Sequence, residues 1–307
     1  MSDHMNRRRF LTIAGSVTAA VLAGCSSGEG DDDDMTTTET NDSMDDGMTT
    51  TEMDDGMTGT DDGTMSGPVT ATVRIENVAP TDFYGSMTPT SGAIWITPGA
   101  FAIHTDENPI YTEGETASIG LEALAEAGPP TGFEGEPGLV DELQDMSGDM
   151  NVVSAGAYTP EDTVADPNDP TDENPGAPPI APGGAFEFDV EIEPGQRLSF
   201  ASMFVPSNDL FFSTESEGLV LWPEDGKPIE GDVTDGVDLF DAGTEPNAQP
   251  PGEGPDQAPA QDNPDQGDDE GGVVRRVSEV MDGHDYPAVD EAIQVTVTPH
   301  DMMDDGS

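Results

Sequence analysis

The chain has 307 residues, of which 65 are Asp or Glu and 8 are Lys or Arg, a formal charge of −57. Lys227 is its one lysine, which argues against nucleic acid as a partner, because phosphate neutralisation needs clustered Lys and Arg. Such a charge opposes compaction at low ionic strength but is screened in concentrated salt, where the Debye length falls to about 3 Å at 1 M. An acid-rich, lysine-poor globular chain is therefore predicted to come from a salt-loving source.

Asn6-Arg7-Arg8-Arg9-Phe10-Leu11 has the form of a twin-arginine export signal, with Arg7 and Arg8 as its arginine pair. A short apolar stretch follows to Gly24, roughly half the ~20 residues of a spanning helix. Leu22-Ala23-Gly24-Cys25 then resembles the lipobox of exported lipoproteins. Cys25 is the only cysteine, so an intramolecular disulfide is excluded, and its expected role is the lipidated N-terminus. Residues 1–25 are thus predicted to export the chain by the twin-arginine route and to anchor it on the outer face of the cytoplasmic membrane.

Residues 26–68 hold 14 acidic residues, no basic ones and no apolar periodicity. They are predicted to form a disordered tether, extended by charge repulsion. The Thr runs and Asn41-Asp42-Ser43 are candidate glycan sites. An imperfect Met-Asp-Asp-Gly-Met repeat spans Met44 to Met57. Thioether sulfur can bind copper, but the interspersed Asp and the lack of His or Cys favour a spacer.

From residue 69 to 299 the pattern is mostly β. Val69, Ala71, Val73 and Ile75 alternate with polar residues, as do Phe186 to Ile192 and Ile293 to Val297. Period two with one wet face is the antiparallel signature. Stretches 93–104 and 197–206 are apolar on both faces and read as central strands. Short candidates at 151–156, 218–222, 237–241 and 272–277 bring the expected count to roughly eight. Thr116–Ala127 and Gly138–Met146 carry helical spacing, the first stopped by Gly128-Pro129-Pro130; both are expected on the edge of the sandwich. Long loops are expected at 158–184 and 246–271, and a polar tail at 300–307. The predicted fold is one all-β antiparallel β-sandwich with minor helical insertions.

Two acidic loops sit at strand ends. One is Pro206-Ser207-Asn208-Asp209; the other is Asp241-Ala242-Gly243-Thr244-Glu245. Carboxylates from two such loops suit a hard cation, which takes oxygen ligands. Asn208 and Thr244 are further candidate contributors, and Gly243 gives the second loop freedom to wrap an ion. His104 ends an apolar strand and is expected to be structural; His284 lies in a turn, and a zinc pair of the two has no support in the sequence. Trp95 and Trp222 are expected in the core. No nucleophile elbow marks a hydrolytic triad.

The stretches Thr97–Thr105, Ser199–Phe212, Phe240–Glu245, Gly272–Arg275 and Tyr286–Thr298 together resemble the spondin family, in its microbial single-domain form. The resemblance spans about residues 70–299. It implies an eight-stranded sandwich similar to calcium-dependent lipid-binding modules, with one calcium site at the end of the sandwich. It implies Asp209, Asp241 and Glu245 as the carboxylate ligands. The fifth position of the second motif is Glu here rather than Asp, which reaches one methylene further. The cysteines and extra modules of eukaryotic spondins are not in this chain, so their adhesion roles carry over only loosely.

The leading functional expectation is a lipid-anchored, calcium-binding surface module with an extracellular or envelope partner, and not an enzyme. The alternative is a surface hydrolase acting on an extracellular polymer through the same acids. A third is metal scavenging by the Met-rich tether.

Overall fold

A computed structural model describes residues 67–84, 92–147, 151–159, 162–164, 179–224, 226–250 and 267–300. The expected signal, lipidation site Cys25, arginines Arg7 and Arg8, tether and most of the two long loops lie outside the described residues.

The described residues form twelve strands and three short α-helices. Eight strands are five residues or longer: β1 (Val69–Asn77), β2 (Ile96–His104), β3 (Val152–Tyr158), β5 (Ala185–Ile192), β6 (Arg197–Phe204), β7 (Leu210–Thr214), β10 (Val237–Asp241) and β12 (Ile293–Pro299). The other four are two-residue pieces: β4 (Thr163–Val164), β8 (Leu219–Val220), β9 (Gly231–Asp232) and β11 (Arg275–Arg276). One sheet runs β4-β5-β1-β12-β9 and the other β11-β10-β7-β6-β2-β3, with β8 beside β6. Every ladder between these strands is antiparallel. The architecture is the expected all-β sandwich.

The two sheets differ in what covers them. Along β1 each apolar residue is buried and each polar neighbour half-exposed, so one face of the five-stranded sheet meets water. Its inner face supplies Val73, Ile75, Phe186, Val295 and Val297 to a core shared with Phe200, Phe212, Leu239 and Trp222. Fully burying each such side chain contributes about 1.5–3 kcal/mol. Strands β6 and β7 are buried on both faces, because a second core lies outside the seven-stranded sheet.

That second core corrects one expectation. Helices α1 (Ile119–Ala127) and α2 (Leu139–Asp145) do not sit at the sandwich edge; they lie across the outer face of the seven-stranded sheet, over β2, β3, β6 and β7. Ala100, Ala102 and Ala201 on that face leave room for Leu121, Leu124, Leu139 and Leu143. Ser118 Oγ caps α1 by accepting from Leu121 N, and Gly128 ends it at φ 89°. The Glu142 carboxylate accepts from Ser118 Oγ and Gly120 N, tying the two helices together. Ile119, counted as apolar spacing in the sequence, is exposed. Asn77 at the end of β1 spans the sandwich by donating to Ile94 O and Ile180 O.

His104 is fully buried, as a structural residue would be. Its Nδ1 meets Asp106 O at 2.9 Å and its Nε2 meets Ser199 Oγ at 2.8 Å. The carbonyl requires a proton on Nδ1, so the neutral ring accepts at Nε2. Burial, opposed by the Asp106 carbonyl and helped by Arg197, lowers the imidazole pKa below 6.5. A base with a depressed folded pKa contributes full stability above its unfolded value and loses it as pH falls. The His104 contribution to stability is therefore expected to shrink as pH falls from neutral toward about 5, read as the difference between the parent's and the His104→Gln variant's melting temperatures across that range.

Candidate metal centre

Three strand ends meet by register. Asp241, the last residue of β10, pairs with Leu210 at the start of β7 and with Arg275 at the start of β11. Asp209 immediately precedes Leu210, so the ladder itself brings Asp209, Asp241 and Arg275 to one end of the seven-stranded sheet. The Ala242 N–H donates to Asp209 O and continues the pairing past the strand.

The turn after β6 is held by Ser207, whose hydroxyl donates to Phe204 O and accepts from Leu210 N. Asp209 and Asp241 are both fully buried. Asp209 Oδ2 accepts from Thr244 N at 2.9 Å and Glu245 N at 3.1 Å. Its Oδ1 is buried and has no hydrogen-bond partner among the described residues, as does the neighbouring Asn208 Oδ1. Asp241 Oδ1 accepts from Gly243 N at 2.7 Å; its Oδ2 accepts from Arg275 Nε and Nη2 and from Asn247 Nδ2. Gly243 has φ 70°, and a Cβ there would lie 2.5 Å from Val273 N, so the sharp return of this loop requires glycine.

The third acid of the cluster is one the sequence did not single out. Asp209, Asp241 and Glu270 each offer an oxygen, and these oxygens lie within 4.8 Å of one another. Glu270 is placed by its own N–H, which donates to Thr244 O at 2.7 Å. Glu245, the third ligand implied by the resemblance, is buried beside them, but its Oε1 accepts from Gly267 N at 2.8 Å. Its backbone N–H donates to Asp209 Oδ2 at 3.1 Å. No local motif marks Glu270: it ends an Asp-Asp-Glu run in an acidic loop. The register between Asp241 and Arg275 is what brings that loop in.

Three carboxylates thus face one guanidinium. Burial, with the charges of Asp241 and Glu270, pushes the Asp209 carboxyl up to about 8, against the opposing backbone bonds from Thr244 and Glu245. An acid with a buried, partnerless oxygen beside two further carboxylates is a place where positive charge is favoured. Asn208 Oδ1 is a second buried oxygen with no partner among the described residues, and the Asn208 Nδ2 donates to Pro246 O at 3.1 Å. This donor set is all oxygen, which fits a hard cation such as calcium and not a thiophilic or imidazole-seeking metal.

Other candidates resolve differently. Both ring nitrogens of His104 are taken within the fold, and His284 packs edge-on to Tyr286. Trp222 is core, as expected. Trp95 is not: it is half-buried and lines an apolar cavity of about 560 Å³ with Pro129, Phe133 and Met203. No protein-family model and no curated protein matches the chain.

Proposed function

We propose that this chain is a lipid-anchored cell-surface protein whose β-sandwich binds calcium and presents its loops to an extracellular or envelope partner. The observation that carries the reading is Asp209 Oδ1, an acid oxygen that is buried beside Asp241 and Glu270 and has no hydrogen-bond partner among the described residues. Asp209, Asp241 and Glu270 would hold the ion, with the Asn208 carbonyl as a fourth donor. Calcium supplies charge neutralisation and six to eight oxygen coordination positions. The chain's own residues do the positioning. Thr244 and Glu245 orient Asp209 through their amides, and Gly243 and Asn247 orient Asp241.

The site joins the β6–β7 turn, the segment after β10 and the segment before β11. An ion there would fix three loops at one end of the sandwich. Both Asp209 and Asp241 are fully buried, which suits an ion and keeps these two carboxylates from direct contact with a polymer chain. This favours a binding module over the hydrolase reading.

The test is calorimetric calcium titration of the full chain in concentrated salt, with the Asp209→Asn, Asp241→Asn double variant as control. Saturable one-site binding in the parent and at least 100-fold weaker binding in the control is expected, about 2.7 kcal/mol by affinity arithmetic. Equal binding in both proteins, or none in the parent, overturns the reading.

A further inference from the structure

Arg275 occupies a position that the other three arginines of the described residues do not share. Arg74, Arg197 and Arg276 pair with acids whose side chains are 25–83% exposed. Arg275 pairs with Asp241, whose side chain is 0% exposed. Its Nη2 lies 2.9 Å from Asp241 Oδ2 and 3.0 Å from Glu270 Oε1, and its Nε lies 3.1 Å from the same Asp241 oxygen. The guanidinium therefore bridges two of the three carboxylates that can hold a metal ion. The third, Asp209, keeps its partnerless Oδ1.

We infer that Arg275 is a tethered counter-cation that competes with the metal ion for Asp241 and Glu270 and so selects divalent over monovalent cations at this site. The inference rests on the calcium reading above and adds the residue that sets its selectivity.

The physical case has three parts. The first is charge. Asp241 and Glu270 are two carboxylates that share one guanidinium, a deficit of one positive charge before Asp209 is counted. A sodium or potassium ion that displaces Arg275 exchanges one positive charge for another. It also gives up translational freedom that the tethered side chain never had, since a group on a short tether acts at an effective concentration in the millimolar range or above. A divalent ion that displaces Arg275 brings an extra charge and offsets that cost. The exchange matters for a chain whose charge of −57 would otherwise gather monovalent cations around every acid.

The second part is mobility. The Arg275 side chain is 32% exposed, so its charged end has a way out to water along its own stem. The third is a fixed backbone. The next residue, Arg276, is held by Asp238 at 2.7 Å, Glu215 at 3.0 Å and Glu113 at 3.5 Å, with its guanidinium 5.5 Å from the centre of the Phe240 ring. The β11 pairing to β10 therefore persists while only the Arg275 side chain moves.

The experiment compares the full wild-type chain with Arg275→Gln, using calcium titration at moderate and at near-saturating NaCl and thermal melting without calcium. The variant is expected to melt lower without calcium yet bind calcium roughly tenfold tighter at moderate salt, the scale of one charge-assisted pair no longer displaced. On moving to near-saturating NaCl it is expected to lose more affinity than the wild type. A purely structural arginine would weaken both properties together. Equal or weaker calcium binding by the variant, with the wild type binding normally, overturns the role of Arg275. Absence of binding in the wild type overturns the calcium reading itself. Should Arg275→Gln fail to fold without cation, Arg275→Lys keeps the charge but loses the bidentate fork. It is expected to bind calcium several-fold tighter than wild type by the same logic, and unchanged or weaker affinity again overturns the inference.

Discussion

A single methyl group on Gly99 is expected to lower the unfolding free energy by about 3 kcal/mol, the upper end of the usual cost of overpacking. A Cβ built on Gly99 lies 2.0 Å from Ala201 O and 2.2 Å from Tyr158 Oη. Neither neighbour can give way. Ala201 O belongs to β6, which pairs residue for residue with β2 from Gly99↔Ser202 to His104↔Arg197. Tyr158 is fully buried, its hydroxyl bonded to Ala201 O and Ser202 Oγ and its ring stacked on Phe188. For a domain of this size the loss corresponds to a melting temperature lower by about 6–12 °C. Gly67→Ala is the matched control, since nothing lies within 4 Å of a Cβ there. A Gly99→Ala variant melting within about 2 °C of the parent would show that the phenol of Tyr158 is not fixed over β2, because that shift corresponds to less than 1 kcal/mol.

Asp209→Asn is expected to act in opposite directions with and without calcium. In the cation-free protein the folded Asp209 pKa is raised from 3.8 to about 8. Between those values the folded state keeps a proton that the unfolded state has released. By linkage, stability is full below the unfolded value and falls as pH rises through the window. Asparagine carries no such proton. Its amide nitrogen in place of Oδ1 can donate toward Asp241 and Glu270, while its oxygen still accepts from Thr244 and Glu245. The variant is therefore expected to gain on the parent as pH rises, from near zero at about pH 4 to about 3 kcal/mol at about pH 8, the usual cost of an uncompensated buried charge. Saturating calcium should reverse the order, because only the parent retains the ligand and gains by mass action. Urea unfolding across pH, with and without calcium, measures both. A stability difference that stays flat with pH would mean that Asp209 is ionised at no cost in the folded state.

These two residues also show what the chain discloses before folding. Gly99 lies in the Thr97–Thr105 stretch, where apolar residues on both faces announce a central strand; that it must be glycine depends on Tyr158, which reaches it from β3. The alternation in β1, β5 and β12 was legible because each has one wet face. Strands β4 and β9 were not, since two residues carry no period. The helices were legible as helices from their spacing and from the Gly-Pro-Pro stop. Their place over the sheet face was not, because it follows from the small residues Ala100, Ala102 and Ala201 on two other strands. Within the site, Asp209 and Asp241 stood out because each follows an apolar strand. Glu270 did not, as one acid in an acidic loop, and Arg275 was visible only as part of a motif. Both are recruited by a register between strands more than thirty residues apart.

Among the described residues three of the four sheet edges are very short strands: β4 and β9 close the five-stranded sheet and β11 one side of the other, whose far side is the seven-residue β3. An open strand edge is a template on which a second molecule can extend the sheet. At each of these three edges an incoming chain finds only two residues of backbone to pair with, well short of the five or six of an ordinary strand. Acidic chains at low salt stay apart by repulsion, and molar salt removes that safeguard. The three blunted edges remain in force there, so at those edges resistance to strand pairing in molar salt comes from where the strands stop and not from the charge.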